Sequence, residues 1–214
     1  MIVNIHMSND LIKQYINHTL EHNKTPESVY LFAKAVGMEE KEFYNHYSSL
    51  ESLEADIYKI WFENAYKTCA DSEPWAEYSS REKVLAVFFA YIEEAKNYRS
   101  FAVYLKGRDL VKLPRWPKYL NELHTVFTEK MKPILSEGIG TNEIQERKYL
   151  DDKYASGLWL NFLFVFAFWL NDNSKSFEKT DESIERSVNL AFDLMGKSAL
   201  DAALDFGKFL FQNR

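Results

Sequence analysis

Seven glycines and five prolines are the only residues in this 214-residue chain that break helices by chemistry. That scarcity constrains the fold more than any other feature, because long helices can then run without interruption. Between the breakers, apolar residues recur at three-to-four spacing and do not alternate, which is the periodicity of helices and not of strands. Leu11, Ile12, Tyr15, Ile16 and Leu20 mark a first amphipathic helix from about Asp10. Thr25-Pro26 reads as an N-cap with proline at the first helical position, opening a helix whose inner face is Val29, Phe32, Ala33 and Val36. Gly37 ends it, since glycine accepts the left-handed conformation. Ser48 to Glu51 has the form of a capping box before Leu53, Ile57, Ile60, Trp61 and Phe62. Ser79 to Glu82 repeats that device before Val84, Leu85, Phe88, Phe89, Ile92 and Ala95.

Further along, Lys106 to Pro117 reads as a loop, and Leu120, Leu123, Phe127, Met131 and Ile134 mark a helix. Gly138-Ile139-Gly140 reads as a break before a long helix from Asn142 to Leu170. Asn171 to Lys179 is a polar loop, followed by a helix with Ile184, Val188, Ala191, Phe192 and Met195 inside. A last helix is expected from Ser198 to Phe211. The polar stretch from Asp71 to Tyr78 is the plainest boundary by composition.

Hydrophobic content of 46% and aromatic content of 16% exclude a disordered chain. The single cysteine, Cys69, excludes an intrachain disulfide and a cysteine-based metal site, and fits a reducing, cytoplasmic setting. Met1 to Met7 lacks the basic start and apolar run of a signal peptide. The most apolar stretch, Leu158 to Leu170, is shorter than the roughly 20 residues a membrane span needs, so it reads as a buried helix or a subunit interface. No phosphate loop, nucleophile elbow or metal-ligand set is present, so the expectation is a non-enzyme without cofactor or metal. His18 and His22 stand at i, i+4 but lack further ligands, and read as a solvated helix face. Lys106, Arg108, Lys112, Arg115 and Lys118 around Trp116 read as a surface loop.

One stretch carries more specific information. Ala33 is small where two helices cross, Gly37 permits a tight turn, and Met38 plugs it. Phe43 and Tyr47, four apart, bury one face of a short third helix from Glu39 to Tyr47. This is a helix-turn-helix arrangement. With Tyr44, His46, Ser49, Glu51 and Leu53 it resembles the TetR family, whose pattern continues from alanine and glycine into Phe-Tyr-x-His-Phe-x-Ser-Lys-Glu-x-Leu. The resemblance implies an all-α, TetR-like fold of nine to ten helices. It places a three-helix unit at 1–53 and a ligand-binding, dimerising helical body at 54–214. It further implies a homodimer that regulates transcription in response to a hydrophobic small molecule. Lys34, Lys41, Tyr44, His46 and Ser49 are then the DNA-facing candidates. Trp61, Phe88, Phe127, Trp159, Phe162 and Phe166 are the candidate pocket, since the aromatic count exceeds what one core face needs.

The charge departs from the family. From Thr25 to Ile60 seven acids face three bases, a local net charge of −4, and Leu50 stands where the family has its phosphate-contacting lysine. DNA affinity comes mostly from cations on phosphates. A second reading therefore stands beside the first: a TetR-fold protein that has lost DNA binding and binds or presents a lipid or isoprenoid, as the lipid-binding accessory protein of coenzyme Q biosynthesis does.

Overall fold

The computed structural model describes residues 2–109, 117–147, 151–196 and Phe209. Among these residues there are nine α-helices, three short 3-10 turns and no strand. The helices are α1 (Ile2–His22), α2 (Val29–Ala35), α3 (Glu40–Phe43), α4 (Leu50–Ala70), α5 (Ser80–Lys96), α6 (Arg99–Asp109), α7 (Asn121–Gly140), α8 (Asp151–Asn171) and α9 (Glu178–Met195). The all-α expectation holds, and so does the helical periodicity behind it.

Packing groups the chain into two units, Met1–Glu63 with Glu94–Thr125, and Asn64–Glu93 with Val126–Arg214. This grouping differs from a cut after residue 53. In the first unit α6 packs on α1, where Phe101 meets Tyr15 edge-on at 6.2 Å. No separate helix at 99–109 was legible in the sequence, because its apolar residues, Phe101 to Leu105, are one contiguous run without three-to-four spacing and it runs into the basic stretch. The expected loop from Lys106 therefore begins as helix, and residues 110–116 lie outside the described ones.

Several boundaries move, each for a local reason. Thr19, one turn after Tyr15, takes the fully buried position expected of Leu20, which is exposed. The cap of α2 is Ser28, not Thr25: its Oγ accepts the Leu31 N–H at 3.2 Å. The box opening α4 lies one residue later than Ser48 and uses no glutamate. Ser49 Oγ accepts the Ser52 N–H, and Ser52 Oγ accepts the Ser49 N–H, both at 3.1 Å. The Ser79–Glu82 box forms as expected, and its hydrogen bonds from Ser79 hold the Glu82 carboxyl below its ordinary pKa. On α5, Val87 and Tyr91 are buried while Leu85 and Phe89 are only half-buried.

In the second unit, Gly138 and Gly140 belong to the end of α7 and are not a break. Gly138 is required by close approach, since a Cβ there would lie 2.8 Å from Ile144 Cδ1 and 2.9 Å from Ser80 Oγ. The chain turns at Asn142, whose φ is +61°. The long helix expected from Asn142 begins only at Asp151, because Thr141 to Arg147 is committed to other bonds. Glu143 accepts the Ser80 and Arg81 N–H groups at 2.9 and 3.1 Å, where a carboxylate suits the positive end of α5. Buried Arg147 donates to the Tyr154 hydroxyl at 2.8 Å and to the carbonyls of Met195 and Gly196 at 3.1 and 2.8 Å, closing the end of α9. At the other end of the pair, buried Asp172 accepts from Ser174 N–H, Thr180 N–H and Thr180 Oγ1. Burial pushes this carboxyl up, but those hydrogen bonds outweigh it and bring its pKa to about 2.

By length and composition the Lys153–Asn171 stretch of α8 could cross a bilayer. Here half of it is buried against its own unit: Leu158, Trp159, Phe162, Val165 and Trp169 face inward. The helix expected from Ser198 to Phe211 lies outside the described residues except for Phe209.

Candidate nucleic-acid interface and ligand-binding core

In the first unit, α2 and α3 form the helix-turn-helix. Gly37, at φ +75°, sits just past the end of α2. The Gly37 N–H bonds the Lys34 carbonyl and the Met38 N–H bonds the Ala33 carbonyl at 2.9 Å, which is the Schellman ending. Nothing lies within 4 Å of a Cβ built at Gly37, so the requirement there is conformational and not spatial. Phe32, Ala33, Phe43 and Leu53 are buried to 1% exposure or less. Phe32 meets Tyr15 and Phe43 edge-on at 5.6 and 6.1 Å, and Tyr47 anchors the following turn by donating to Asp56 at 3.0 Å.

The DNA-facing candidates lie on this frame. Lys34 on α2 and Lys41 on α3 are exposed, and His46 is half-buried. Tyr44 is 52% exposed, with its hydroxyl 3.4 Å from Glu40. Ser49 is half-buried and its side chain is engaged in the α4 cap. Glu39 and Glu40 are exposed at the start of α3, and Lys59 is bonded to Asp56 at 2.8 Å. Sequence reasoning missed a cleft of about 290 Å³ bounded by Thr25–Val29 on one side and Ser48–Glu54 on the other. At its base Glu54, 8% exposed, accepts from the Tyr15 hydroxyl at 2.5 Å. The available signal was a carboxylate within the apolar run of α4. His18 and His22 stack at 4.3 Å, and His22 Nδ1 lies 2.8 Å from the His18 carbonyl. Burial, and then His22, lower the pKa of His18. Among the described residues no group of three or more metal-ligating side chains occurs.

In the second unit, five of the six pocket candidates come together. Phe162 of α8 lies 5.4 Å from Phe88, 5.1 Å from Phe127 and 5.6 Å from Trp159. Tyr91, unforeseen, joins Phe162 at 4.8 Å and Phe166 at 5.8 Å. Burial raises its hydroxyl far above the ordinary tyrosine pKa. The sixth candidate, Trp61, belongs to the first unit, where it stacks on Tyr98 at 5.2 Å. A separate apolar groove of about 280 Å³ is lined by Tyr154, Gly157, Leu158, Ala191, Leu194 and Met195, with Lys153 beside them.

A helix-turn-helix unit followed by a helical body with an aromatic centre is the architecture that the sequence resemblance implied. Residues 83–210 match the family described as "Tetracyclin repressor-like, C-terminal domain". The chain belongs to the TetR family. It is similar in fold to a TetR transcriptional regulator from Nitrosomonas europaea ATCC 19718, with a TM-score of 0.62 at 12% identity, over 86% of this chain and 97% of that one. A Shewanella sp. PV-4 protein, described as a candidate tetR family regulator, gives a TM-score of 0.59 at 12% identity over 89% and 98%. The ketosteroid transcriptional regulator KstR2 of Mycobacterium tuberculosis gives 0.50 at 13% identity over 90% and 96%. No curated protein matches the chain.

Proposed function

We propose that this protein is a ligand-responsive transcriptional regulator that works as a cytoplasmic homodimer and takes a hydrophobic small molecule into its carboxy-terminal body. One observation carries the reading: the helix-turn-helix frame, with Ala33, Phe43 and Leu53 buried and Gly37 left-handed, is joined in one chain to α8 and α9, which expose large apolar side chains. Leu160 and Phe164 on α8, and Leu190 and Leu194 on α9, are 46–60% exposed, and each pair is spaced i, i+4. Apolar surface of this kind is what a second copy buries. Phe88, Phe127, Trp159, Phe162 and Phe166 supply the chemistry for an apolar ligand, which enters by displacing these rings from one another. Lys34, Lys41, Tyr44, His46 and Ser49 face DNA, and ligand binding changes the affinity for it.

The acid excess on α2, α3 and the start of α4 favours the second reading, in which the fold keeps its body and presents a lipid without binding DNA. Selection of genomic fragments at low salt separates the two when combined with native mass spectrometry of the purified protein. A selected sequence, released by an apolar ligand, supports the first reading. A co-purifying lipid with no selected sequence supports the second. Neither a selected sequence nor any apolar ligand would refute both.

A further inference from the structure

The helix face that carries His18 and His22 is solvated only in part. His22 is exposed, but His18 is half-buried, and its Nδ1 is buried with no hydrogen-bond partner. The two rings stack at 4.3 Å with 23° between their planes. Rings stacked in this way point their nitrogens along nearly parallel planes, so the pair does not converge on a metal ion.

The proton positions follow from the partners. His22 Nδ1 faces the His18 carbonyl at 2.8 Å, and a carbonyl only accepts, so that nitrogen carries the hydrogen. His18 Nδ1 faces nothing that accepts, so the neutral ring keeps its hydrogen on Nε2 and leaves Nδ1 bare. A second proton on His18 goes to Nδ1, where a charged donor is buried without an acceptor. It also stands against the His22 ring, and the two repel once both are charged. Burial, and then His22, hold the His18 pKa below its ordinary 6.5, against a smaller opposing pull from Glu21.

His22 and Glu21, both on α1, are the charged or titratable groups that act on His18. From α2 it meets the uncharged Phe32 ring, edge-on at 6.0 Å. In the turn that follows, Lys24 and Glu27 pair with each other, and α6 supplies the Tyr104 hydroxyl, which accepts the Thr25 N–H at 3.2 Å. Phe32 is fully buried and meets Phe43, so His18 is the first ring in a row that leads into the helix-turn-helix. α1 itself ends at Asn23, whose φ is +50°, with the Lys24 N–H on the Thr19 carbonyl at 3.1 Å.

We propose that His18 and His22 form a proton-operated catch at the corner between α1 and α2. While neutral, the stacked rings hold the end of α1 on Phe32. Once both are charged they separate, His18 turns towards solvent, and α2 and α3 loosen from α1. The sign follows from linkage: a histidine whose folded pKa is lowered binds more protons when unfolded. The stability it allows is complete above the ordinary 6.5 and is lost as pH falls below that value. The catch needs neither DNA nor a ligand, so its failure and that of the regulator reading are separable.

The test uses the full chain, with an NMR titration of the histidine rings and amide hydrogen exchange corrected for intrinsic rate, from about pH 7.5 to about pH 5.5. Protection of the Lys24 and Met38 amides, which bond the Thr19 and Ala33 carbonyls, is expected to fall severalfold across that range. The Gln145 amide, bonded to the Met195 carbonyl in the second unit, is expected to keep its protection. In His18→Phe, which keeps a ring against Phe32 but takes no proton, the fall at Lys24 and Met38 is expected to vanish. His22→Gln removes the repelling charge and is expected to show a smaller fall. Burial also lowers the pKa of His124 on α7, so His124→Gln is the comparator, expected to leave the fall at Lys24 and Met38 intact. Should His18→Phe not fold, His18→Gln replaces it, and the ring titration of the parent protein needs no variant. Titration of His18 at or above 6.5, an undiminished fall in the His18 or His22 variant, or an equal fall at Gln145 would each overturn the proposal.

Discussion

The α2–α3 pair and the α8–α9 pair are both two helices joined by a short connection, and they solve the packing problem in opposite ways. α2 and α3 have seven and four residues, too few to bury a face by themselves. They are held by a Schellman ending, a serine cap and single aromatic plugs, and their outer face is charged. α8 and α9 have 21 and 18 residues and bury long apolar faces on each other and on the aromatic centre. Their outer face exposes Leu160 and Phe164 on α8, and Leu190 and Leu194 on α9, among charged side chains such as Glu182, Glu185 and Arg186. The difference teaches that exterior chemistry, more than the helical frame, sets the two pairs apart: exposed charges and tyrosines on the short pair, exposed leucines and a phenylalanine on the long one.

The comparison breaks first at the long pair. Phe164→Asp with Leu190→Asp places charges on exposed positions of α8 and α9. The dimer is expected to be lost while helicity is retained, as read by light scattering and circular dichroism. A dimer that survives would remove the assignment of that face to a second copy.

Next in size is Phe162→Ala, which empties the middle of the ring cluster. It should cost about 3–5 kcal/mol in a denaturant titration. If the rings are the ligand-binding core, the resulting cavity takes up an apolar dye or alkylbenzene that the parent protein binds less well. Destabilisation without uptake would mark the cluster as packing alone.

Leu50→Lys sharpens the short pair. It restores the cation that the family has at the mouth of the cleft, and nonspecific DNA affinity at low salt should rise about tenfold with a steeper salt dependence. An unchanged gel shift would mean that the acid excess is not what limits DNA binding.

The smallest effect is expected from Asp172→Asn between α8 and α9. With its folded pKa lowered to about 2 from an ordinary 3.8, Asp172 contributes stability that is fully present above that ordinary value. The contribution fades as pH falls through about 2. The gap between parent and variant melting temperatures should therefore be largest near neutral pH and shrink in strong acid.

Helix existence was legible wherever apolar residues kept one phase. Leu123, Phe127, Met131 and Ile134 of α7, and Leu120 in the turn that leads into it, are all buried as the spacing implies. The short pair was legible through Ala33, Gly37 and Phe43, because a tight turn admits few residue types. Boundaries were less legible where side chains spend their hydrogen bonds at a distance. Glu143 and Arg147 lie in a stretch of helical composition, yet their partners are at Ser80, Tyr154 and Met195. In the candidate site, the exposed lysines could be named from sequence. The Glu54 recess could not, because it forms only when residues 25–29 and 48–54 come together.

The sequence by itself determined the helical class, the helix-turn-helix frame and the sign of its surface charge, because periodicity, a left-handed glycine and formal charge are local properties. Only the tertiary structure decided which rings meet around Phe162, where α8 begins, and that Tyr44 remains exposed in the same cleft as the buried Glu54 carboxylate. Those outcomes depend on what distant segments cover, and burial is a property of the packed chain and not of any one stretch of it.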